Sequence, residues 1–401
     1  MKKKIIFLFI IIVLISFGIL IKTSFNKEES SFQVDSSEQI KEENLLSMML
    51  ETSAGSGEYE MVTQSSWPTD GYTFNAELSK CENGGELGWD STYNRVTMIG
   101  SMSDKCYVYF DIIPLVSDFC SNGDYLATCL TNYADNVDSS ITNIYHHDGT
   151  LENGIDDGSY RYAGANSEVN NYVCFGSSDE TCPENNLFRI IGVIDDKVKL
   201  IKATSLGDMA IYNEGSSASS SSVYAEWANS DLNTYLNGTY LNIFSEVWQE
   251  KIATTTWKDG RVYVDESPAE MYTSQMNATY NKANEISECS SKVALMYAYD
   301  YGFAASASAW SESLDNYFQD DSITVDWLFI VSSDDIAEWL LSRFADDEEY
   351  CRVTEYGYVM TFDAEGIPTS VYVVRPVFFL ESIVTYSSGT GTSSDPIRLG
   401  V

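Results

Sequence analysis

The stretch VVRPVFFL, Val373 to Leu380, reads as a buried β-strand except for the arginine and proline at its centre. A fixed positive charge survives inside a protein only against a carboxylate or a set of carbonyls, and proline cannot donate to a strand ladder. Arg375 and Pro376 are therefore read as a structural pin, with the charge satisfied internally and the ladder interrupted at an edge or bulge. Further strand-like runs flank it: YGYVMTFD at 356–363 on the N-terminal side and SIVTY at 382–386 beyond. Well upstream, NLFRIIGVIDDKVKLIKA at 186–203 is the clearest hairpin of the chain, with strands at Leu187–Ile194 and Lys197–Lys202 joined by Asp195-Asp196. In its return arm Val198 and Leu200 face one side while Lys197, Lys199 and Lys202 do not, so one face is expected to be wet. Between these strand groups, Ser230 is placed to cap a helix over DLNTYLNG and Ser245 another over EVWQEKIATTTW. Two helices enclosed between early and late strands indicate an α+β domain.

The bulk numbers narrow the function. With 60 acidic against 23 basic side chains the formal net charge is −37, a surface that repels nucleic acid and anionic lipid. Tyr is the commonest aromatic, at 27 against Phe 18 and Trp 8, which suits recognition surfaces as well as strands. Lys2, Lys3 and Lys4 precede the apolar run Ile5–Ile21, and Lys22 follows it. As a helix that run would reach ~25 Å, close to the ~30 Å hydrocarbon core. The lysines place the N-terminus in the cytoplasm and the remainder outside. No small-residue cleavage site follows at once, so an uncleaved signal anchor is expected; a cleaved signal would leave the protein secreted.

Eight cysteines in an exported chain read as a disulfide framework. Nearest-neighbour order suggests Cys81–Cys106, Cys120–Cys129, Cys174–Cys182 and Cys289–Cys351, one of the many connectivities open to eight cysteines. A metal site finds no support, since there is no C-x-x-C pair and the two histidines, His146 and His147, are adjacent. The segments follow as a signal anchor at 1–22, a polar acidic stalk at 23–65 with a short helix from near Ser37 over Leu45–Leu50, and a small β domain at 66–112. A turn-rich connector occupies 113–159 and the main domain 160–401. No P-loop, dinucleotide fingerprint or G-x-S-x-G occurs.

Six segments in order carry a resemblance: FRIIGVIDDKVKLI, SDLNTYLNGTYLNIFSEVWQEKI, ALMYAYDYGFAAS, WLLSR, VVRPVFFL and GTGTSSDPIRL. Over 160–401 the chain looks like an uncharacterised bacterial surface domain similar to the C-type-lectin-like fold. That fold is shared by formylglycine-generating enzymes and the variable proteins of diversity-generating retroelements. The segment from Trp67 to Asp111 also resembles a small module of exported gut-bacterial surface proteins. The resemblance implies an α+β fold class: a C-type-lectin-like domain preceded by a small all-β disulfide-stapled domain and an N-terminal transmembrane helix.

For function the resemblance implies one of two things. In the retroelement branch the segment before the arginine-proline motif is an exposed binding face, which here runs from Trp327 to Tyr372. Its ligand-binding residues would be Trp327, Asp334, Asp335, Glu338, Trp339, Tyr350, Arg352, Tyr356, Tyr358 and Tyr372. The ligand would be a glycan or a protein outside the cell, making the protein a membrane-anchored adhesin or receptor. In the enzyme branch paired cysteines bind copper and oxidise a substrate cysteine; only Cys289 and Cys351 would serve, and their acidic surroundings oppose thiol activation. An exported wall-acting hydrolase is the remaining enzymatic alternative. No catalytic residue and no cofactor is assigned. The acidic runs Asp346–Glu349 and Asp363–Gly366 are candidate oxygen ligands for a structural Ca2+, though neither has EF-hand spacing.

Overall fold

The computed structural model describes residues 32–33, 46–63, 66–68, 71–90, 93–100, 104–166, 169–213, 226–276, 287–318, 326–331, 337–345, 349–361 and 370–400. The chain divides into two units, Met1–Pro114 and Leu115–Val401. Of the described residues 37% are strand and 21% helix, which makes the chain predominantly β and overturns the α+β, C-type-lectin-like class expected from sequence. Among the described residues no helix is long and apolar enough to cross a membrane. The apolar run Ile5–Ile21 lies outside them.

In the first unit, a four-stranded sheet runs in the order Tyr59–Val62, Leu46–Glu51, Cys106–Ile112, Tyr72–Cys81. A three-stranded sheet is formed by Phe32–Gln33, Arg95–Ile99 and Glu86–Asp90. Leu46–Glu51 is a strand rather than the expected stalk helix: it runs parallel to Cys106–Ile112, with Met48 opposite Val108. Its burial explains why. Met48 and Leu50 enter a core with Val96, Val108 and Phe110, and the Phe110 ring packs against Trp89 and Phe74 at 5.4 and 5.9 Å. Glu51, also buried, takes N–H groups of Gly57 and Ile112. The small β unit thus draws on residues assigned to the stalk. The expected Cys81–Cys106 disulfide closes it, joining paired positions of neighbouring strands.

In the second unit, nine strands form one sheet. Its main path is Val293–Ala294, Val377–Phe379, Lys197–Lys202, Leu187–Ile194, Tyr172–Cys174, Ile397–Leu399, Tyr386–Ser388, with Ile144–His147 and Ser159–Tyr162 branching from Leu187–Ile194. A six-stranded sheet contains Asp208–Ala210, Val371–Val373, Ala337–Phe344, Tyr350–Thr354 and Val359–Met360 in line, with Arg261–Val262 parallel to Ala337–Phe344. One buried cluster is shared by both sheets. The segments assigned to a connector belong to this core: helix Leu126–Asn136 buries Leu126, Cys129, Leu130 and Tyr133, and Ile144–His147 pairs with Ser159–Tyr162.

The stretch Val373–Leu380 is where the chain passes from one sheet to the other. Val371–Val373 belongs to the six-stranded sheet and Val377–Phe379 to the nine-stranded one. Arg375, 1% exposed, donates from Nε and Nη2 to Glu338 at 2.7 and 2.8 Å and from Nη2 to the Leu328 carbonyl. Pro376 needs no donor there, because its carbonyl is what pairs, accepting from Lys202 N–H at 3.0 Å.

The Leu187–Lys202 hairpin forms as expected, and Asp195 and Asp196 both take positive φ, as a tight two-residue turn demands. Its expected wet face is covered. Lys199 and Lys202 are 1% and 4% exposed; Lys202 donates to the Asn185 carbonyl, and Lys199 to Asp300. Gly192 marks a register irregularity in this hairpin, and a Cβ there would stand 2.3 Å from the Tyr160 carbonyl oxygen of the branching strand. The two helices expected between Ser230 and Trp257 shorten to Asp231–Tyr235, a wider turn at Leu236–Tyr240, a tight turn at Leu241–Ile243 and Glu246–Gln249. Trp257 already lies in the two-stranded sheet of Thr255–Asp259 with Ser287–Ser291.

Candidate functional site: an exposed tyrosine strip

Strand Tyr350–Thr354 is buried throughout, and the chain leaves the interior only at the turn that follows. Thr354 N–H donates to the Tyr358 carbonyl at 3.0 Å, its hydroxyl reaches the same carbonyl at 3.1 Å, and Gly357 N–H donates back to the Thr354 carbonyl at 3.0 Å. Gly357 holds φ +98°, a conformation costly for any residue with a Cβ. The Gly357 carbonyl is clamped from below by the hydroxyl of Tyr301 at 2.6 Å, on helix Ala298–Ala304 and itself fully buried.

On this braced turn the rings of Tyr356 and Tyr358 lie near each other. Their rings are parallel to within 5°, with centroids 6.3 Å apart. The Phe318 ring packs on Tyr358 at 5.3 Å. Phe318 is held in place by its neighbour Tyr317, whose buried hydroxyl donates to the Gly302 and Ala309 carbonyls at 3.2 and 3.0 Å. Tyr356 is 60% and Phe318 41% exposed, with Tyr358 half-buried between them. Flat, apolar ring faces carrying a polar hydroxyl, set on a rigid support, can accept a flat apolar face of a ligand while hydrogen-bonding its rim.

The rest of the expected binding face is interior. Trp327, Glu338, Trp339, Tyr350, Arg352 and Tyr372 are all buried. Trp327 donates its indole N–H to the Tyr162 carbonyl at 3.0 Å and receives the Arg189 guanidinium over its ring at 4.5 Å. Trp339 donates to the Met209 carbonyl at 2.9 Å and packs edge-on against Tyr372 at 4.6 Å. Arg352 lies over the Tyr372 ring at 5.3 Å. Glu338 is the partner of Arg375, and burial pushes its carboxyl above the usual range although Arg375 opposes the rise. Asp334, Asp335, most of the run Asp346–Glu349 and all of Asp363–Gly366 lie outside the described residues. Of the eight expected contacts among the described residues, then, only Tyr356 and Tyr358 have ring surface in water. Phe318 was missed; the one signal for it was an aromatic pair, Tyr317-Phe318, at the end of a polar turn.

Two other places concentrate polar groups. In the interior, Asp300 accepts from Arg161 at 3.1 Å, Lys199 at 2.5 Å and its own cap, Tyr297 N–H, at 3.0 Å. The Lys199 ammonium is surrounded by the rings of Trp257, Tyr297, Tyr299 and Phe379. Burial lowers its pKa against the pull of Asp300. Side chains of all three charged residues are at most 2% exposed, so the cluster fastens strand to helix and has no route to a substrate. At the surface, an open trough of about 780 Å3 lies between the loop closed by the Cys174–Cys182 disulfide and the Tyr386–Leu399 hairpin. Ser177, Thr181, Ser387, Ser388 and Ser394 line it with hydroxyls, and Arg398 ties its walls by donating to the Asp179 and Glu180 carbonyls at 2.9 and 2.7 Å.

Among the described residues one group of potential metal ligands comes together, Cys81, Asp104 and Cys106, but both sulfurs are in a disulfide. The Asp104 carboxylate is also occupied, by Asn83 N–H and side-chain amide at 2.8 and 2.9 Å and by Gly85 N–H at 3.1 Å. Two of the four expected bridges form, Cys81–Cys106 and Cys174–Cys182. Cys120, Cys129, Cys289 and Cys351 remain thiols, against the expected second and fourth pairs.

Residues 195–382 match the model of a family described as a domain of unknown function (DUF6273). That span begins at the hairpin turn and includes the tyrosine strip and the Arg375–Glu338 pin. No curated protein and no solved structure matches the chain.

Proposed function

We propose that this chain is a membrane-anchored protein of the bacterial cell surface that binds a glycan through the strip formed by Tyr356, Tyr358 and Phe318. The observation that carries the reading is the pairing of exposure with bracing: Tyr356 is 60% exposed, yet its turn is pinned from the core by Tyr301. Large aromatics are left in water at a cost, and a rigid, hydroxyl-bearing aromatic face recovers that cost when a ligand covers it. A pyranose offers such a surface a flat C–H face that fits the ring and hydroxyls that fit the rim. The net charge of −37 favours a neutral or cationic glycan over a polyanion. Lys2–Lys4 followed by Ile5–Ile21 support an anchor with the remainder outside, and the two disulfides suit an oxidising compartment. A protein partner on the same strip is the alternative the assay separates.

The oxidase alternative draws no support from the cysteines it needs, since Cys289 is 9% and Cys351 0% exposed. The test is a paired array of glycans and cell-surface proteins probed with the intact protein and with Tyr356→Ala. The proposal expects a defined set of glycan signals that falls about tenfold in the variant, a loss of ~1.4 kcal/mol. Glycan binding indifferent to Tyr356→Ala, or binding confined to proteins, would sink it.

A further inference from the structure

Strand Tyr172–Cys174 runs parallel to Ile397–Leu399, with Cys174 opposite Arg398. The chain leaving Cys174 turns through Gly176, at φ +87°, and returns at Cys182, so the disulfide between them closes a short loop. Arg398 grips that loop from the partner strand, one terminal nitrogen on the Asp179 carbonyl and the other on that of Glu180. The other wall of the trough is the hairpin of Tyr386–Ser388 with Ile397–Leu399. Ser387 is the extra residue where its register shifts, a bulge of the kind that re-aims a side chain. Tyr386 braces this hairpin by donating its hydroxyl to the Gly389 carbonyl at 2.8 Å, and a Cβ on Gly389 would collide with the Pro396 carbonyl. Covalent and hydrogen-bonded ties thus set both walls in advance.

The lining grades with depth. Leu399 is 5% exposed and Pro396 buried, while Ser178, Thr181, Ser388 and Ser393 are exposed. Arg398 spends one N–H of each terminal nitrogen on the loop; its Nε–H and the second N–H of each have no partner among the described residues. Nε–H and the neighbouring terminal N–H form the fork edge that a carboxylate takes with both oxygens. The side chains of Asp179 and Glu180, exposed on the same lining, likewise pair with no cation among the described residues. Both signs of charge therefore stand open beside hydroxyls and a small apolar patch, in a trough of about 780 Å3.

We infer that this trough binds a short peptide with free termini, its terminal carboxylate on the open edge of Arg398 and its ammonium group on the Asp179 and Glu180 carboxylates. Because Arg398 holds the backbone of both acidic residues, their carboxylates stand close to its guanidinium. Three extended peptide residues, which reach about 10 Å, cover that interval. The hydroxyls of Ser387 and Ser388 can donate and accept, as the amides between the termini require, and Pro396 with Leu399 suits a small apolar side chain. A neutral sugar would leave both kinds of charge uncovered, and an anionic one would meet the carboxylates of Asp179, Glu180 and Asp395. None of these groups belongs to the tyrosine strip, so the site is independent of glycan binding there.

The test is isothermal titration calorimetry of the intact protein with trialanine, with its C-terminal amide and with its N-acetyl form. The expected result is saturable binding of trialanine, weakened about tenfold by either block. The double variant Asp179→Asn with Glu180→Gln keeps both backbone carbonyls that Arg398 grips, so the walls persist. It should bind trialanine about tenfold more weakly and lose the preference for a free amine, while still discriminating against the amide. In Arg398→Gln the preference for a free carboxylate should disappear instead. Absence of saturable trialanine binding at concentrations on the order of millimolar, equal affinity for free and blocked peptides, or a double variant that keeps the wild-type preference for the free amine would each overturn the inference.

Discussion

Replacing Arg375 by Met removes a guanidinium that makes two hydrogen bonds to Glu338 and one to the Leu328 carbonyl, in a pair whose side chains are 1% and 2% exposed. The attraction between the two charges is only part of the loss. Glu338 is left as an unpaired carboxylate in the core, and breaking a buried pair this way costs roughly 3–5 kcal/mol. Against a typical domain stability of roughly 5–15 kcal/mol that is a large share. Arg375→Met combined with Glu338→Leu removes the stranded charge and should recover all but about 1–3 kcal/mol, the residue being the Leu328 carbonyl left without its donor. The cost also depends on pH. Burial already raises the Glu338 carboxyl above its ordinary 4.5, with Arg375 opposing. A folded value above the unfolded one means that this group's contribution is complete below about pH 4.5 and is lost as pH rises through the folded value. Without Arg375 the folded value climbs further, so the window widens and the penalty of Arg375→Met grows by ~1.4 kcal/mol per pH unit across the added part, between the wild-type and variant folded values. Urea unfolding followed by fluorescence of the buried tryptophans at pH 5 and pH 8 reads both effects. A single variant that loses under ~1 kcal/mol at pH 8, or one no worse than the double variant, would refute the pin.

His147 is fully buried against Phe303 and Trp310; its Nδ1 accepts from Ile155 N–H, and Arg161, Asp157 and His146 are the charged groups acting on it. Burial first, then Arg161, lowers its pKa to about 3. The folded state therefore resists protonation, and stability is lost as pH falls from ~6.5 toward that value, by ~1.4 kcal/mol per unit from this group. His147→Asn keeps an acceptor for Ile155 and should flatten that acid limb; urea midpoints that run parallel to wild type from pH 7 to pH 4 would contradict it. Tyr301→Phe deletes the hydroxyl under Gly357 and should cost about 1 kcal/mol while speeding amide exchange at Gly357 and Tyr358; unaltered exchange there would show that the strip is braced by something else.

What could be read in advance was what local chemistry dictates. Asp195-Asp196 announced the hairpin turn, and the charge and proline of Val373–Leu380 announced a satisfied arginine at a break in the ladder. The two disulfides that form join cysteines adjacent in sequence order. One departure comes from reading a polar residue in a strand as a mark of water. Glu338, Lys199 and Arg352 each have a buried partner, and partners 37 and 101 residues away, Arg375 for Glu338 and Asp300 for Lys199, leave no local trace. The Trp327–Tyr372 face rests on the resemblance and on its aromatic and polar composition, and neither can tell a strand covered on both sides from one with an open side. The run Leu45–Leu50 reads as helix because the partner of strand Leu46–Glu51, Cys106–Ile112, lies some sixty residues further on and leaves no local trace. Of the described members of that face, Tyr356 and Tyr358 keep ring surface in water because the turn at Gly357 carries them out of the buried strand, a local break that the run YGYVMTFD does not announce.

The most direct test of the strip is a crystal structure of the protein soaked with the strongest glycan from the array. A pyranose ring should lie on the face of Tyr356, its carbons within about 4 Å of the ring. A glycan seated in the Ser177–Arg398 trough, with Tyr356 still bare, would contradict it.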